Sequence, residues 1–422
     1  MISAVRNFLA ADGASGSPDA SQQLHFTSAS GASQVSAPSV NPPRLDSVDI
    51  VRGIVMVIMA LDHVRDYFSE LRFDPMDLSQ TFPALYFTRW ITHFCAPVFV
   101  FLAGTGAFLS TSRGKPIKVL SRFLWTRGLF LVVLELTVVR FGWLFNFGYD
   151  LIFVQVIWAI GVSMICLAGL VHLSKKTIAT IGIIMIVGHN ALDGVSPEVF
   201  GPLAIVWRTL HISEAIQIAP NIFYLPFYPL IPWIGVMATG YVFGSILFYE
   251  PEHRKKTLVR LGLGMIGAFV LLRALNVYGD LHPWTTQKDA ITSFFSFMNV
   301  TKYPPSFDYL LITLGPAIVA LAFFEKGMGR FGKFFVVYGR VPMFFYIIHI
   351  YFIHALAVLA AMLQGFDAKS LLNPMWAFPE GYGFGLGVVY LAWIAVVLAV
   401  YPACRWFAEL KRRRKDPWLS YL

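Results

Sequence analysis

The chain has 422 residues, of which 57% are hydrophobic and only 14% charged. Soluble domains carry about a quarter charged residues, so this composition excludes an ordinary globular protein, and long apolar runs follow one another along the chain. Apolar–polar alternation over strand lengths is missing, which argues against a barrel. The net charge of +9 sits in short loops and a tail. With no nucleic-acid motif beside it, that charge reads as a topology signal and nucleic acid is not expected as a partner.

In chain order, residues 1–44 are rich in Ser, Ala, Gly, Pro and Gln and read as a disordered tail. The early patch Phe8-Leu-Ala-Ala is too short for a cleavable signal segment. Ten spans are then expected, near 47–67, 84–110, 118–142, 149–171, 177–193, 224–248, 257–277, 306–324, 335–362 and 383–407. The expected fold is all-α: a polytopic integral membrane protein of about ten transmembrane helices. Its transmembrane domain covers 45–410 and a basic tail covers 411–422.

Loop charges test that count. Alternate loops carry Arg113, Lys115 and Lys118, then Lys175 and Lys176, then Arg254, Lys255 and Lys256, then Lys326, Arg330 and Lys333, and the tail holds Lys411-Arg-Arg-Arg-Lys415. The intervening loops hold only Arg72, nothing in 143–150, Arg208, then Lys288 and Lys302, then Lys369. The basic loops face the cytoplasm by the positive-inside rule, so both termini are expected there, consistent with an even number of spans. The other face receives the long segments 194–223 and 278–305, and in the second Tyr303-Pro304-Pro305 is a stiff candidate cap for a cavity. Asn299-Val-Thr301 is a formal glycosylation sequon.

The first span carries the chemistry. It contains Arg52 near its start and Asp62-His63-Val-Arg65-Asp66 at its end. Eleven residues of helix bring Arg52 and His63 within roughly 20° of one direction and about 16 Å apart along the axis. Ionisable groups at membrane depth are costly and mark a pathway or a reaction site. His63 and Asp66 are i,i+3 neighbours, so a carboxylate, Asp66 or Asp62, is placed to orient the imidazole; the bland alternative is a solvated helix end. Arg89 and His93 share a face on the second span and suit an anionic group or an interhelical ion pair. On the ninth span, Tyr346 and His349 fall near mid-membrane, either as packed polar groups or as the lining of a substrate passage. In the third span, Arg127 and Glu135 lie on one face and are expected to form ion pairs, either with each other or between helices. Arg122, Arg127 and Arg340 lie toward the cytoplasm, where they could meet a phosphorylated ligand. Small residues at Gly104, Gly106, Gly235, Gly240 and Gly244 are read as close-packing positions. Cys95, Cys166 and Cys404 lack metal or disulfide spacing, so no metal site and no disulfide framework is expected.

Two stretches carry a resemblance. Arg44-Leu-Asp-Ser-Val-Asp49-Ile-Val-Arg52-Gly53 and Pro97-Val-Phe-Val-Phe-Leu-Ala-Gly104 resemble the opening of the heparan-α-glucosaminide N-acetyltransferase catalytic-domain family. Leu61-Asp-His-Val-Arg-Asp-Tyr67, Gly339-Arg-Val-Pro-Met-Phe-Phe-Tyr346 and Trp418-Leu-Ser-Tyr-Leu422 look like its bacterial branch, over roughly 44–422. The Arg52–His63 spacing is also similar to that of membrane O-acyltransferases that modify envelope polysaccharides. The resemblance implies transfer of an acyl group, acetyl in the first instance, from cytoplasmic acyl-CoA to an amine or hydroxyl of a sugar or envelope glycan across a bacterial inner membrane. His63 would be the catalytic base or acyl carrier, aided by Asp62, Asp66 and His93. Arg52, Arg89, Tyr346 and His349 would bind substrate, and the CoA phosphates would lie near Arg52, Arg122, Arg127 or Arg340. The family's animal enzymes have their histidine just after the first span, yet Ser69 to Trp90 holds none here, which leaves His63 and His93 as rivals. The partners implied are the bilayer, acyl-CoA and a glycan, and a homodimer is admitted. A transporter or flippase for an anionic or sugar-linked substrate is the alternative reading of the same buried charges.

Overall fold

A computed structural model describes residues 45–422, apart from 112, 113, 415 and the Pro417 side chain. The tail 1–44, Arg113 and Lys415, on which parts of the sequence reading rest, lie outside the described residues.

Helix α1 is Asp46–Phe68. Helix α2, Pro83–Ile91, continues through a short 3-10 turn into α3, Cys95–Thr111. Helix α4, Ile117–Leu134, widens into a π turn at Glu135–Val139 and ends as α5, Arg140–Leu144. Then follow β1, Leu151–Val154, α6, Val156–Leu170, and α7, Lys175–Gly188. Helix α8, Ala204–His211, precedes the hairpin of β2, Ile216–Ala219, and β3, Ile222–Pro226. The remaining helices are α9, Leu230–Phe243, α10, Pro251–Leu275, α11, Ala290–Met298, α12, Phe307–Phe323, α13, Gly329–Arg340, α14, Pro342–Leu363, and α15, Leu386–Arg413.

The chain is mostly helical, 73% against 5% strand, and every apolar run read from the sequence falls mainly on helix, with departures in three, of which 224–248 opens on the last residues of β3. The run 149–171 begins as β1. It pairs parallel with β3, which in turn pairs antiparallel with β2. These strands are β-branched and aromatic, Leu-Ile-Phe-Val and Ile-Phe-Tyr-Leu-Pro, a composition that favours extended chain over helix. The run 335–362 is two helices. Pro342 removes a backbone donor and pushes Val341 out of helical geometry, to φ −132° and ψ 48°. The long segments 194–223 and 278–305 hold α8, β2 and α11, so neither is a structureless loop.

Among the described residues, six helices are long and apolar enough to cross a membrane, or seven if the bent pair ending at His211 is one span. Helix α1 has the length but carries five charges between Asp49 and Asp66. It tolerates them because it lies inside the bundle, packed by α3, α12, α13, α14 and α15. Helices α10 and α15 are at the periphery: only 22% of their most apolar stretch is covered by protein, against 78% for α9.

The closest helix contact is between α1 and α13. A Cβ on Gly53 would overlap the Phe335 carbonyl, and one on Gly339 would overlap the Asp49 carbonyl. Gly104 and Gly240 make the same reciprocal approach between α3 and α9, and Gly235 meets Gly182. Gly106 departs from its expected packing role, because nothing lies within 4 Å of its Cβ position; it faces a cavity instead. Gly53→Val or Gly339→Val should therefore force α1 and α13 apart and destabilise the fold by at least the about 1–3 kcal/mol of ordinary overpacking. Gly106→Ala should leave the thermal midpoint in detergent unchanged. A Gly339→Val protein as stable as the parent would contradict the backbone-to-backbone packing.

Candidate active site

The arrangement begins with two histidines 286 residues apart in the chain. His63, near the end of α1, places Nδ1 2.8 Å from Nε2 of His349 on α14. His349 Nδ1 in turn lies 2.8 Å from the Phe345 carbonyl oxygen. A carbonyl only accepts, so His349 carries its proton on Nδ1 and, as a neutral ring, offers Nε2 as an acceptor. His63 is then the donor through Nδ1–H, and its own Nε2 is left with a free lone pair. The relay runs one way, from the helix backbone through His349 to His63. His349 is fully buried, whereas His63 is only partly so. Trp143 meets the His63 ring edge-on at 4.9 Å and Tyr346 at 6.0 Å. The indole N–H of Trp143 points to the Tyr346 hydroxyl at 3.4 Å. Phe345 stacks on His349 at 4.7 Å.

Next to this pair lies a charged cluster. Arg89 brings one nitrogen to both Asp62 oxygens, at 2.7 and 2.9 Å. Arg65 reaches Asp62 at 3.0 Å and Asp66 at 2.5 Å, and Lys302 stands 3.8 Å from Asp62. Three cations against two carboxylates, largely shielded by protein, compensate one another, which is the condition for keeping ionised groups inside a helix bundle. Asp62 and Asp66 thus spend their ion pairs on arginines, and the His63 ring is held by His349. His93 is buried in the same shell. Its ring meets Tyr309 at 5.4 Å, its carbonyl accepts from the Tyr309 hydroxyl at 2.8 Å, and its Nδ1 meets no partner. Lys302 leads into Tyr303, which packs on Phe227 and Tyr228 just beyond β3.

At the other end of α1 is a cavity of about 300 Å³. Arg52, Arg127, Arg340 and Lys411 line it together with apolar residues of α3, α4 and α6, and Tyr346 and Met56 lie among its walls. Arg52 donates to the Gly339 carbonyl at 3.1 Å and pairs with Asp49 at 3.5 Å. Arg340 stands 3.7 Å from both Asp49 and Asp46. Arg127 has a buried Nε that meets no acceptor, and its guanidinium lies over the Phe123 ring. Arg122 is exposed on α4 and does not line the cavity. The expected Arg127–Glu135 pair is not formed: Glu135 accepts from the Gln155 and Trp158 backbone N–H groups at 3.2 Å each. It caps the start of α6, whose free donors attract a carboxylate. Eight helical residues span about 12 Å, too far for a direct contact.

The structure therefore joins His63, His349 and Tyr346 in one group, gathers Asp62, Asp66, Arg89 and His93 in a second, and puts Arg52, Arg127 and Arg340 on the cavity. Trp143 and Lys302 were not foreseen as members. Lys302 had one signal, its place beside the rigid Tyr303-Pro304-Pro305; Trp143 had none. His354 is occupied by the Gly142 and Leu371 carbonyls, at 2.9 and 3.0 Å.

Buried charge within a bundle of helices long and apolar enough to cross a membrane defines an integral membrane protein with a polar site buried in its helix bundle. A family model described as heparan-α-glucosaminide N-acetyltransferase, catalytic, matches residues 44–278, more than half of the chain. The chain belongs to that family of membrane acyltransferases. No curated protein matches it. The matched region contains Arg52, Asp62, His63, Arg89, His93 and Arg127 but ends before Arg340, Tyr346 and His349.

The ion cluster has a measurable signature. Arg89→Ala leaves Asp62 undercompensated, and breaking a buried pair costs about 3–5 kcal/mol. The thermal midpoint should fall accordingly, and the double variant Asp62→Asn/Arg89→Gln should recover part of the loss. Strictly additive losses would show that the two groups are not coupled.

Proposed function

We propose that the protein transfers an acyl group, acetyl in the simplest case, from cytoplasmic acyl-CoA to an amine or hydroxyl of a sugar or envelope glycan on the opposite side. The observation that carries this reading is the His63–His349 pair, which leaves His63 Nε2 as a free base close to the Tyr346 wall of a basic cavity. The loop charges favour an arrangement of ten spans with both termini and the cavity mouth cytoplasmic, in a bacterial inner membrane. That is the side on which acyl-CoA is found.

On this reading the cavity takes the pantetheine arm, since about 300 Å³ is at the lower end of ligand-site volumes and too small for a whole CoA. Arg340, Arg127 and Arg52 meet the phosphates, with exposed Arg122 further out. Tyr346 swings aside to bring the thioester to His63. His63 Nε2 takes the proton of the acceptor as its oxygen or nitrogen attacks the thioester carbonyl. The tetrahedral intermediate collapses, the C–S bond breaks, and the proton on His63 passes to the leaving thiolate. In the variant with an acyl carrier, His63 Nε2 itself attacks the carbonyl and expels the CoA thiolate; the acceptor then displaces the imidazole from the acyl group, and its proton goes to the thiolate. His349 holds the ring in the productive tautomer in both. Asp62 and Asp66 act through Arg65 and Arg89, as positioning residues. His93, with its unpartnered Nδ1, is the second group able to meet the acceptor, and Arg89 keeps that shell charged.

Removing a general base costs about 10²–10⁴-fold in rate. His63→Ala should lose acyl transfer by at least this factor in membranes with normal expression, and His349→Ala should lose a large part of it. Millimolar CoA should raise the thermal midpoint of the detergent-solubilised parent, and Arg127→Gln should weaken that shift. Normal turnover in His63→Ala would sink the assignment of the base. Substrate uptake in vesicles without any CoA shift would favour transport.

A further inference from the structure

A second cluster of chemistry-bearing side chains lies away from the histidine pair and shares no residue with it. Helix α7 ends in a 3-10 turn that carries His189. The segment 197–211 then leaves at 115° to it, and this bend brings His211, the last residue of α8, back over the turn. Asp193 is four residues after His189, one helical turn on. One ligand atom from each of His189, Asp193 and His211 lies within 4.8 Å of the others. His211 Nε2 and Asp193 Oδ1 are already 3.1 Å apart. Two ligands on one zinc ion, at about 2.0–2.1 Å bonds in tetrahedral geometry, are separated by roughly 3.3 Å.

Burial makes this more than an ion pair. His189 is 1% exposed and His211 2% exposed. Neither ring nitrogen of His189 has a hydrogen-bond partner, nor does Nδ1 of His211. The Pro305 carbonyl lies near His189 but outside bonding geometry. A neutral imidazole must carry one N–H, so His189 buries at least one unsatisfied donor, at a cost of about 1–3 kcal/mol if nothing else compensates it. The carboxylate is meanwhile held from behind. Asn190 donates to Asp193 Oδ2 at 2.9 Å, and its own oxygen accepts from the Phe307 backbone N–H at 2.8 Å. A fixed carboxylate with one oxygen turned inward is how outer partners prepare a metal ligand.

We propose that His189, Asp193 and His211 bind one divalent transition-metal ion of the zinc class, with a fourth position for water. Two imidazoles and one carboxylate are the donor set that borderline cations such as Zn²⁺ prefer, and that Mg²⁺ and Ca²⁺ do not. On binding, the His211 proton moves from Nε2, where it faces Asp193, to the unpartnered Nδ1, so that Nε2 and a lone pair of His189 are both offered to the metal while each ring stays neutral. The ion pins the α7–α8 bend, and through Asn190 that bend is tied to the start of α12. The sequence showed no metal spacing because the third ligand lies 18 residues beyond the second, and only the bend returns it.

The test uses the full-length protein in detergent, stripped with EDTA and returned to Zn²⁺. Elemental analysis should find one zinc per chain, with a raised thermal midpoint. Co²⁺ in its place should give the visible bands of a four-coordinate site, and Mg²⁺ should do neither. His189→Ala and Asp193→Asn should each lose the zinc, while His63→Ala should keep it. Folded parent protein with no stoichiometric zinc and no cobalt bands overturns the proposal without recourse to any variant. Zinc retained in full by His189→Ala/His211→Ala overturns it as well, because the metal is then bound elsewhere. The outcome is independent of acyl transfer.

Discussion

A helix that carries Asp49, Arg52, Asp62, Arg65 and Asp66 into a bundle of apolar helices has to find its compensation in protein, because apolar surroundings supply none. Much of the bundle around α1 answers that demand. Arg89 from α2 and Lys302 from the segment before α12 reach Asp62. Arg340, closing α13, reaches Asp49. Glycines at 53 and 339 let α1 and α13 touch backbone to backbone, so that Arg52 can donate to the Gly339 carbonyl. An apolar helix in the same place would not need these partners. The bundle keeps them in place of an apolar packing that would need no partners.

The charges are divided by role along α1. At one end cations exceed acids around a cavity, a setting for phosphates. At the other, the cations and acids are nearly balanced beside a pair of histidines. Between them stands Tyr346, which belongs to the cavity wall and to the aromatic shell of His63 at once. The partners of His63 matter for chemistry. A carboxylate on Nδ1 would stabilise an imidazolium. A second neutral imidazole fixes the tautomer without adding negative charge, so the ring stays a free base. This suits one that must pick up a proton and give it back within one turnover.

The fold was legible because helix in lipid is dictated by hydrophobic length. Most of the long helices could be read from apolar stretches, though α8 and α11 lay in segments read as loops, and the importance of α1 could be read from charges that had no business in one. Family membership was legible in Asp49, Arg52, Gly53 and the Pro97–Gly104 stretch. Pairing was not. His63 and His349 each look like a lone polar residue in an apolar run, and no local pattern links positions 286 apart. Helical spacing made Asp66 the expected partner of His63 and Glu135 that of Arg127. Arginines outcompeted the imidazole for the first, and the open amides at the start of α6 claimed the second. The sheet was hidden because three short strands next to helix ends resemble continuations of those helices. The His189–Asp193–His211 cluster depends on a 115° bend that no periodicity announces.

The central claim is that His349 holds a proton on Nδ1 of His63 and so leaves Nε2 free. Nitrogen-15 NMR of histidine-labelled protein, with His63 assigned by subtraction of a His63→Gln spectrum, reads this directly. At neutral pH the account predicts a protonated Nδ1 hydrogen-bonded to an imidazole nitrogen and an unprotonated Nε2. A proton on Nε2 of His63, or a ring averaging freely between tautomers, would contradict it.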